Sequence, residues 1–295
     1  MSPTIPRTSQ NPPAAVVIAT SHVVRGGIGG RAAVFALERL GHRVWSLPTI
    51  ILPFHPGHGP SGRSVPDASD FEQIVDDLAA SSWLSEIGAV ISGYFATPEQ
   101  VVSFARFVDE LKQRNPNIIY VCDPVMGDAG RLYVNAALAD AIRDALLPRA
   151  DFATPNRFEL EWLTGTDCAS NNDLVHAARQ LPAERVVVTS ADAMLRGHIG
   201  ALYVDAKTAL LGEHQAVPNP PHGPGDLTSA LVAAHGLRGL APKDLLVRTF
   251  GSVGQLVMQS VRAGSDELDL AAGQQAIISP HVPIQVRQLS VTAVR

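Results

Sequence analysis

The sequence predicts an α/β fold in three layers, α/β/α, with a mostly parallel central sheet and an antiparallel edge. Three observations predict it. Runs such as AVVIA (15–19) and RVVVT (185–189) are apolar throughout, the pattern of strands covered on both faces. Segments with apolar residues at helical spacing stand between such runs. Ala201–Val204 and Ala209–His214 flank the polar stretch Asp205–Thr208 and read as a hairpin, which supplies the antiparallel edge.

Taken in order, Ala15–Ala19 is the first strand. Gly29–Leu40 is a helix, with Ala33, Leu37 and Leu40 on one face and Gly41 placed to end it. Val44–Leu47 is the second strand. Helices over Phe71–Leu84 and Pro98–Arg114 enclose a third, Ala89–Ile91. Ile118–Cys122 is a β-branched run that ends in Asp123. Leu138–Leu147 is a helix, Phe152–Ala153 closes a short strand, and Arg157–Leu163 opens another helix. Arg185–Thr189 is the next buried strand, and helices Leu227–Leu237 and Leu245–Val261 close the fold. Residues 280–295 alternate in polarity and fit a late edge strand or a loose tail. Residues 1–13, rich in Pro, Ser and Thr, read as an unstructured extension, and 14–295 as a single domain.

Composition narrows the function. Of 295 residues 46% are hydrophobic and 17% charged, enough for a sizeable core. A net charge of −5 without a Lys/Arg cluster gives no electrostatic case for nucleic acid. Cys122 and Cys168 lack CxxC spacing, which argues against a zinc site or disulfide framework. Neither an N-terminal apolar segment nor a membrane-spanning run is present, so the sequence reads as cytoplasmic and membrane-free.

In open parallel sheets ligands bind beyond the carboxyl ends of the strands. There the sequence places Ser21 and GGIGG (26–30), Thr49 with LPFHPGHG (52–59), Tyr94, Asp123 with Asp128, Thr154, Asn156 and Glu159, and Thr189 with Ser190. GPGD (223–226) puts glycines and a carboxylate at a helix start. Such a start binds anions through unpaired N–H groups, and Asp226 reads either as an N-cap or as a base that takes a proton from an attacking hydroxyl. Asp123 reads as an Asx turn or as a group serving Mg²⁺ and nucleotide phosphate. Asn156 and Glu159, three apart, read as a capping box or as holders of metal-bound water. GxxxxGK[ST], full GxGxxG spacing and GxSxG are absent, which excludes a P-loop enzyme and disfavours a dehydrogenase or an α/β-hydrolase.

In this order, SHVVRGGIGGRAAVFALERLG (21–41), SGYFA (92–96), CDPVMGD (122–128), TPNRFELEWLTG (154–165) and GPGDLTSAL (223–231) resemble the pyridoxal kinase family of the ribokinase-like kinases. The resemblance implies a ribokinase-like sandwich, usually a homodimer, that uses ATP and Mg²⁺, with a monovalent cation as a further option, to phosphorylate the 5′-hydroxymethyl of pyridoxal, pyridoxamine or pyridoxine. By the same resemblance Asp226 is the base, and the N–H groups of Gly223, Gly225 and Asp226 form the anion hole. Ser21, Thr49, His55, His58 and Tyr94 surround the substrate. Asp123, Thr154, Asn156, Glu159, Thr189 and Ser190 serve ATP, with Asp123 and Glu159 on the metal through water.

Two departures stand out. The loop after strand two usually reads close to SNHTQYG, and here Pro56-Gly57-His58 replaces its Thr-Gln-Tyr portion, which affects ring preference. Pro224 stands where the family carries Val, Thr or Ala, and it removes one N–H from the hole. The alternatives are a hydroxymethylpyrimidine kinase, a catalytically weak B6- or nucleotide-binding regulator, and, more distantly, a dehydrogenase.

Overall fold

The computed structural model describes residues 14–290; the extension expected over 1–13 lies outside the described residues. Strand β1 (Ala15–Val23) leads to helix α1 (Gly30–Arg39), β2 (Val44–Leu52), α2 (Ala68–Ala80), β3 (Ile87–Ser92), α3 (Pro98–Arg114) and β4 (Ile119–Cys122). A small hairpin of β5 (Gly127–Asp128) and β6 (Arg131–Leu132) precedes α4 (Ala136–Ala141), β7 (Phe152–Ala153), α5 (Arg157–Thr164) and α6 (Asn171–Ala178). Then come β8 (Arg185–Ala191), β9 (His198–Val204), β10 (Ala209–Gln215), α7 (Pro224–Leu237), α8 (Pro242–Arg262), α9 (Leu270–Ile278) and β11 (Gln285–Gln288).

Nine strands form one sheet in the order β11-β10-β9-β8-β7-β4-β3-β1-β2. From β2 to β8 every pairing is parallel; β8–β9, β9–β10 and β10–β11 are antiparallel. The expected hairpin is β9–β10, and part of the alternating C-terminal stretch pairs with it as β11.

The wholly apolar strands have a direct cause. In β1, Val17 and Ala19 enter the core under α2 to α6, while Val16 and Ile18 enter the core under α1, α7, α8 and α9. Val186 and Val188 of β8 face the first core and Val187 the second. With side chains alternating between two dry layers, the apolar runs Val16–Ala19 and Val186–Val188 leave no position to water.

Several expected boundaries shift. β2 runs five residues past the expected Leu47, through Pro48 to Leu52. Proline is tolerated because β2 is an edge strand, bridged on its outer side at Ile51 to Ser64 and not at Pro48. Thr49 is the irregularity in register: Thr20 pairs with Pro48 and Ser21 with Ile50. The helix expected over Leu138–Leu147 is α4 continued by a π turn, Ile142–Leu146, and ends in a 3₁₀ turn containing Pro148. The helix expected to reach Leu84 stops at Ala80, and Ser82–Glu86 is a 3₁₀ turn. Helices α6 and α9 were not anticipated. Ser170 and Asp173 form a capping box at the start of α6.

Candidate active site

The carboxyl ends of β1, β3, β4, β7 and β8 share one rim, and α7 begins beside it. Gly223 is the N-cap of α7 at φ 106°. A Cβ on Gly223 would lie 2.7 Å from the Gly27 carbonyl oxygen, so this turn packs backbone to backbone on the Gly-rich turn after β1. Pro224 takes the first helical position, where its fixed φ suits the helix. A Cβ on Gly225 would meet nothing within 4 Å, so packing within the protein does not demand glycine there.

Asp226 stands in the first turn of α7, half-buried. Its Oδ2 accepts the Gly29 backbone N–H at 2.9 Å. Gly29 also lies against Ser21, whose Oγ would be 2.6 Å from a Cβ at that position. Ser21, the Gly-rich turn and Asp226 therefore meet. Burial pushes the Asp226 carboxyl up to about 6, opposed by the Gly29 N–H and its own N–H.

Asp123 follows β4 and is buried. Ser229, one turn along α7 from Asp226, donates to Asp123 Oδ2 at 2.6 Å, and the Thr154 hydroxyl lies 2.9 Å from Ser229 Oγ. The Thr154 side chain, expected near nucleotide, is thus already engaged inside the protein. Burial lifts the Asp123 carboxyl well above the usual range and the Asp226 charge adds to it, while the Ser229 and Thr154 hydroxyls oppose the shift.

Glu159 is buried as well and completes the capping box with Asn156. Its Oε2 accepts the Asn156 N–H at 2.9 Å, and its Oε1 accepts the Met126 N–H at 3.1 Å. Asn156 Nδ2 donates to the Gly127 carbonyl at 2.8 Å, so these two residues clamp the 123–128 turn to α5. Burial, then the Asp123 charge, raises the Glu159 carboxyl strongly. Asp128 is exposed and caps its own turn through the Ala129 N–H. Thr189 donates its N–H to the Pro155 carbonyl at 3.1 Å, which brings the end of β8 to the same rim, and Ser190 beside it is exposed.

At the β2 side, Thr49 Oγ1 donates to the Tyr94 carbonyl at 2.6 Å, and Gln100 Nε2 holds the Thr49 carbonyl at 2.9 Å. Val23, Ile28, Ile50 and Leu52 make a small apolar cluster with Tyr94 packed against it. His55 lies with its ring centroid 4.3 Å from that of His222, next to Gly223. His58 reaches Glu267 at 2.9 Å.

The comparisons with known proteins bear on this geometry. A phosphomethylpyrimidine kinase family model matches residues 73–268, more than half of the chain. The chain is 34% identical to pyridoxal kinase PdxY of Corynebacterium diphtheriae, over 92% of its own length and 98% of that protein. It is 33% identical to pyridoxal kinase PdxY of Rubrobacter xylanophilus, over 92% of this chain and 96% of the other. The chain belongs to the pyridoxal kinase family.

A pyridoxal kinase from Leishmania donovani in complex with ADP superposes with a TM-score of 0.86 at 27% identity, covering 94% of this chain and 99% of that one. The pyridoxal kinase of Entamoeba histolytica matches with a TM-score of 0.85 over 94% of this chain and 99% of that chain, at an identity of 22% that speaks to the fold alone. The three-layer sandwich described above is the ribokinase-like fold of this kinase family.

Sequence reading passed over three residues of this pyridoxal kinase family member. Ser229 was findable, since it lies three residues after Asp226 on a helix and so shares its face. Tyr133 is 54% exposed, yet the surrounding protein, then the charges of Glu159, Asp123, Asp226 and Asp128, raise its phenol. Its backbone N–H donates to the Met126 carbonyl at 3.0 Å, so it is folding of the β5–β6 hairpin that sets Tyr133 beside the 123–128 turn. Glu267 gave no local signal, because its side-chain partners Gly27 and His58 lie more than two hundred residues away in sequence.

Proposed function

We propose that this chain phosphorylates the 5′-hydroxymethyl group of pyridoxal and its relatives at the expense of ATP, as one domain spanning 14–295 in the cytoplasm, and as a homodimer. The observation that carries the reading is the meeting of Asp226 with the N-terminus of α7 and the Gly-rich turn. Two pyridoxal kinase structures from Leishmania donovani, in complex with ADP and pyridoxine or ADP and pyridoxamine, support it, at 27% identity to this chain.

In this reading Gly29 holds one carboxylate oxygen of Asp226, and the other takes the proton of the substrate hydroxyl. The N–H of Gly225 and those beside it at the helix start receive the charge of the transferred phosphoryl group. Pro224 contributes no N–H to that hole. Ser21, Thr49 and Tyr94 border the vitamin ring, with His55 and His58 in the loop beside it. Asp123, Asn156, Glu159, Thr189 and Ser190 form the nucleotide end, with Thr154 behind them against Ser229.

The donor set suits Mg²⁺. Among the described residues, no group of three or more His, Cys, Asp or Glu side chains is arranged to hold a metal. Mg²⁺ bound mainly by water and phosphate oxygens needs no such cage. Asp123 and Glu159 are buried acids, and among the described residues neither forms an ion pair with Lys or Arg. Glu159 spends both oxygens on backbone N–H groups and would serve the ion through water. When bound, the ion neutralises phosphate charge.

The second reading, transfer to a hydroxymethylpyrimidine, is favoured by the description of the matching family model. Incubation of the chain with MgATP and each of pyridoxal, pyridoxamine, pyridoxine and hydroxymethylpyrimidine, with mass analysis of products, separates the two. A 5′-phosphate on a B6 vitamer is the expected product. Phosphorylation of the pyrimidine alone selects the second reading, and no product from folded protein removes both.

A further inference from the structure

Glu267 lies between α8 and α9, buried to 3% exposure, outside every motif the function has used. It stands where three separate segments of the chain meet. Its backbone is bracketed against His222: the His222 N–H donates to the Asp266 carbonyl at 3.2 Å, and the Leu268 N–H to the His222 carbonyl at 3.3 Å. His222 directly precedes the Gly223 cap of α7. Glu267 Oε2 accepts the Gly27 N–H at 2.9 Å, and Oε1 meets His58 Nε2 at 2.9 Å. Arg25 NH1 lies 3.8 Å from the same oxygen.

The fit at Gly26 is close enough to require glycine. Its φ is 114°, and a Cβ would fall on the Glu267 carboxylate. The Gly-rich turn is therefore gripped at both ends by carboxylates from the C-terminal third of the chain, Glu267 at Gly27 and Asp226 at Gly29. A buried carboxylate that spends one oxygen on a backbone N–H and the other on a histidine fixes the relative position of both partners.

We propose that Glu267 is a positioning residue for phosphoryl transfer: it sets the Gly-rich turn against the start of α7 and, through His58, ties the 53–65 loop over the vitamin end of the site. This rests on the reading of Asp226 and the α7 turn given above. His58 is the outer half of the device.

Because Glu267 touches the vitamin end and not the Asp123–Glu159 end, its loss acts on one substrate. Glu267→Ala is expected to lower kcat at least tenfold with every vitamer accepted, while the KM for MgATP stays within about twofold. Glu267→Gln, which keeps an acceptor for Gly27, recovers most of that loss. His58→Ala raises the vitamer KM with a smaller change in kcat, and His58→Gln, which can still donate to Glu267, restores it.

Amide hydrogen exchange reads the device without turnover. Segment 24–30 exchanges faster in Glu267→Ala and not in His58→Ala, while 53–65 exchanges faster in both. Wild-type kcat in folded Glu267→Ala overturns the proposal, and so does an equal rise in both KM values. If Glu267→Ala does not fold, the Glu267→Gln and His58 variants decide: unchanged vitamer kinetics and unchanged exchange over 53–65 in His58→Ala overturn it. Failure of the wild-type chain to phosphorylate any vitamer would instead remove the kinase reading, and the exchange pattern would still test the clamp.

Discussion

The backbone N–H of Gly29 and Oδ2 of Asp226 are 2.9 Å apart, which joins the turn after β1 to the first turn of α7. This bond lowers the Asp226 pKa but does not cancel the effect of burial, and the carboxyl stays near 6. A base with that value is ionised at neutral pH and still basic enough to accept a proton. The kcat/KM for the vitamer is expected to fall about tenfold per pH unit below 6 and to level off above it. A pH profile with saturating MgATP checks this, and a flat profile down to pH 5 would contradict it.

The same acids set how stability depends on pH. A carboxyl whose folded pKa lies above its unfolded value favours the folded state while it is protonated. That contribution is complete below about 4, near the ordinary value, and is lost for Asp226 as pH rises through about 6. Asp123 and Glu159, also shifted up, extend the loss to higher pH. Ligand-free protein is therefore destabilised by these groups between pH 5 and 8, on the scale of those shifts. Asp226→Asn is expected to show a higher urea midpoint than wild type at pH 8, with the gap narrowing at pH 5. A lower midpoint for the variant at pH 8 would sink this prediction.

Gly225 separates packing from chemistry. Alanine there meets no protein atom and suits a helix better than glycine. Gly225→Ala should keep or raise Tm, yet lower kcat tenfold or more by placing a methyl where the phosphoryl group must approach. Thermal melting beside steady-state kinetics tests it; full activity would mean that the phosphate lies elsewhere.

Pro224 makes the opposite prediction. Restoring an N–H with Pro224→Thr should raise kcat, since one donor in such a hole is worth about 10²–10³ in rate where it is fully used. An unchanged kcat would show that the remaining donors suffice.

Ser229→Ala takes a hydrogen bond from the buried Asp123 carboxylate. An unsatisfied buried partner costs about 1–3 kcal/mol. The KM for MgATP should rise about tenfold, with the vitamer KM little changed. The split between the two KM values is the readout.

Most of the scaffold was legible because its causes are local. Two-sided burial writes itself into β1 and β8 as unbroken apolar runs, and the GPGD turn marks the start of α7. The capping box of Asn156 and Glu159 was also legible, and the structure contains it in full. The hydrogen bonds that cap α5 also hold a buried acid near Asp123. The length of β2 was hidden by Pro48, which argues for a strand end unless the strand is known to lie at an edge. The break after Ala141 was hidden because a π turn keeps helical periodicity for a few residues. Glu267 and Tyr133 were hidden because long-range packing alone brings them to the rim.

The most direct test of the central claim is ADP release coupled to vitamer phosphorylation, measured for the wild type and for Asp226→Asn with ATP affinity determined in parallel. The account predicts turnover by the wild type, a loss of 10²-fold or more in kcat for the variant, and ATP binding within about twofold of wild type. Full turnover by Asp226→Asn would contradict it.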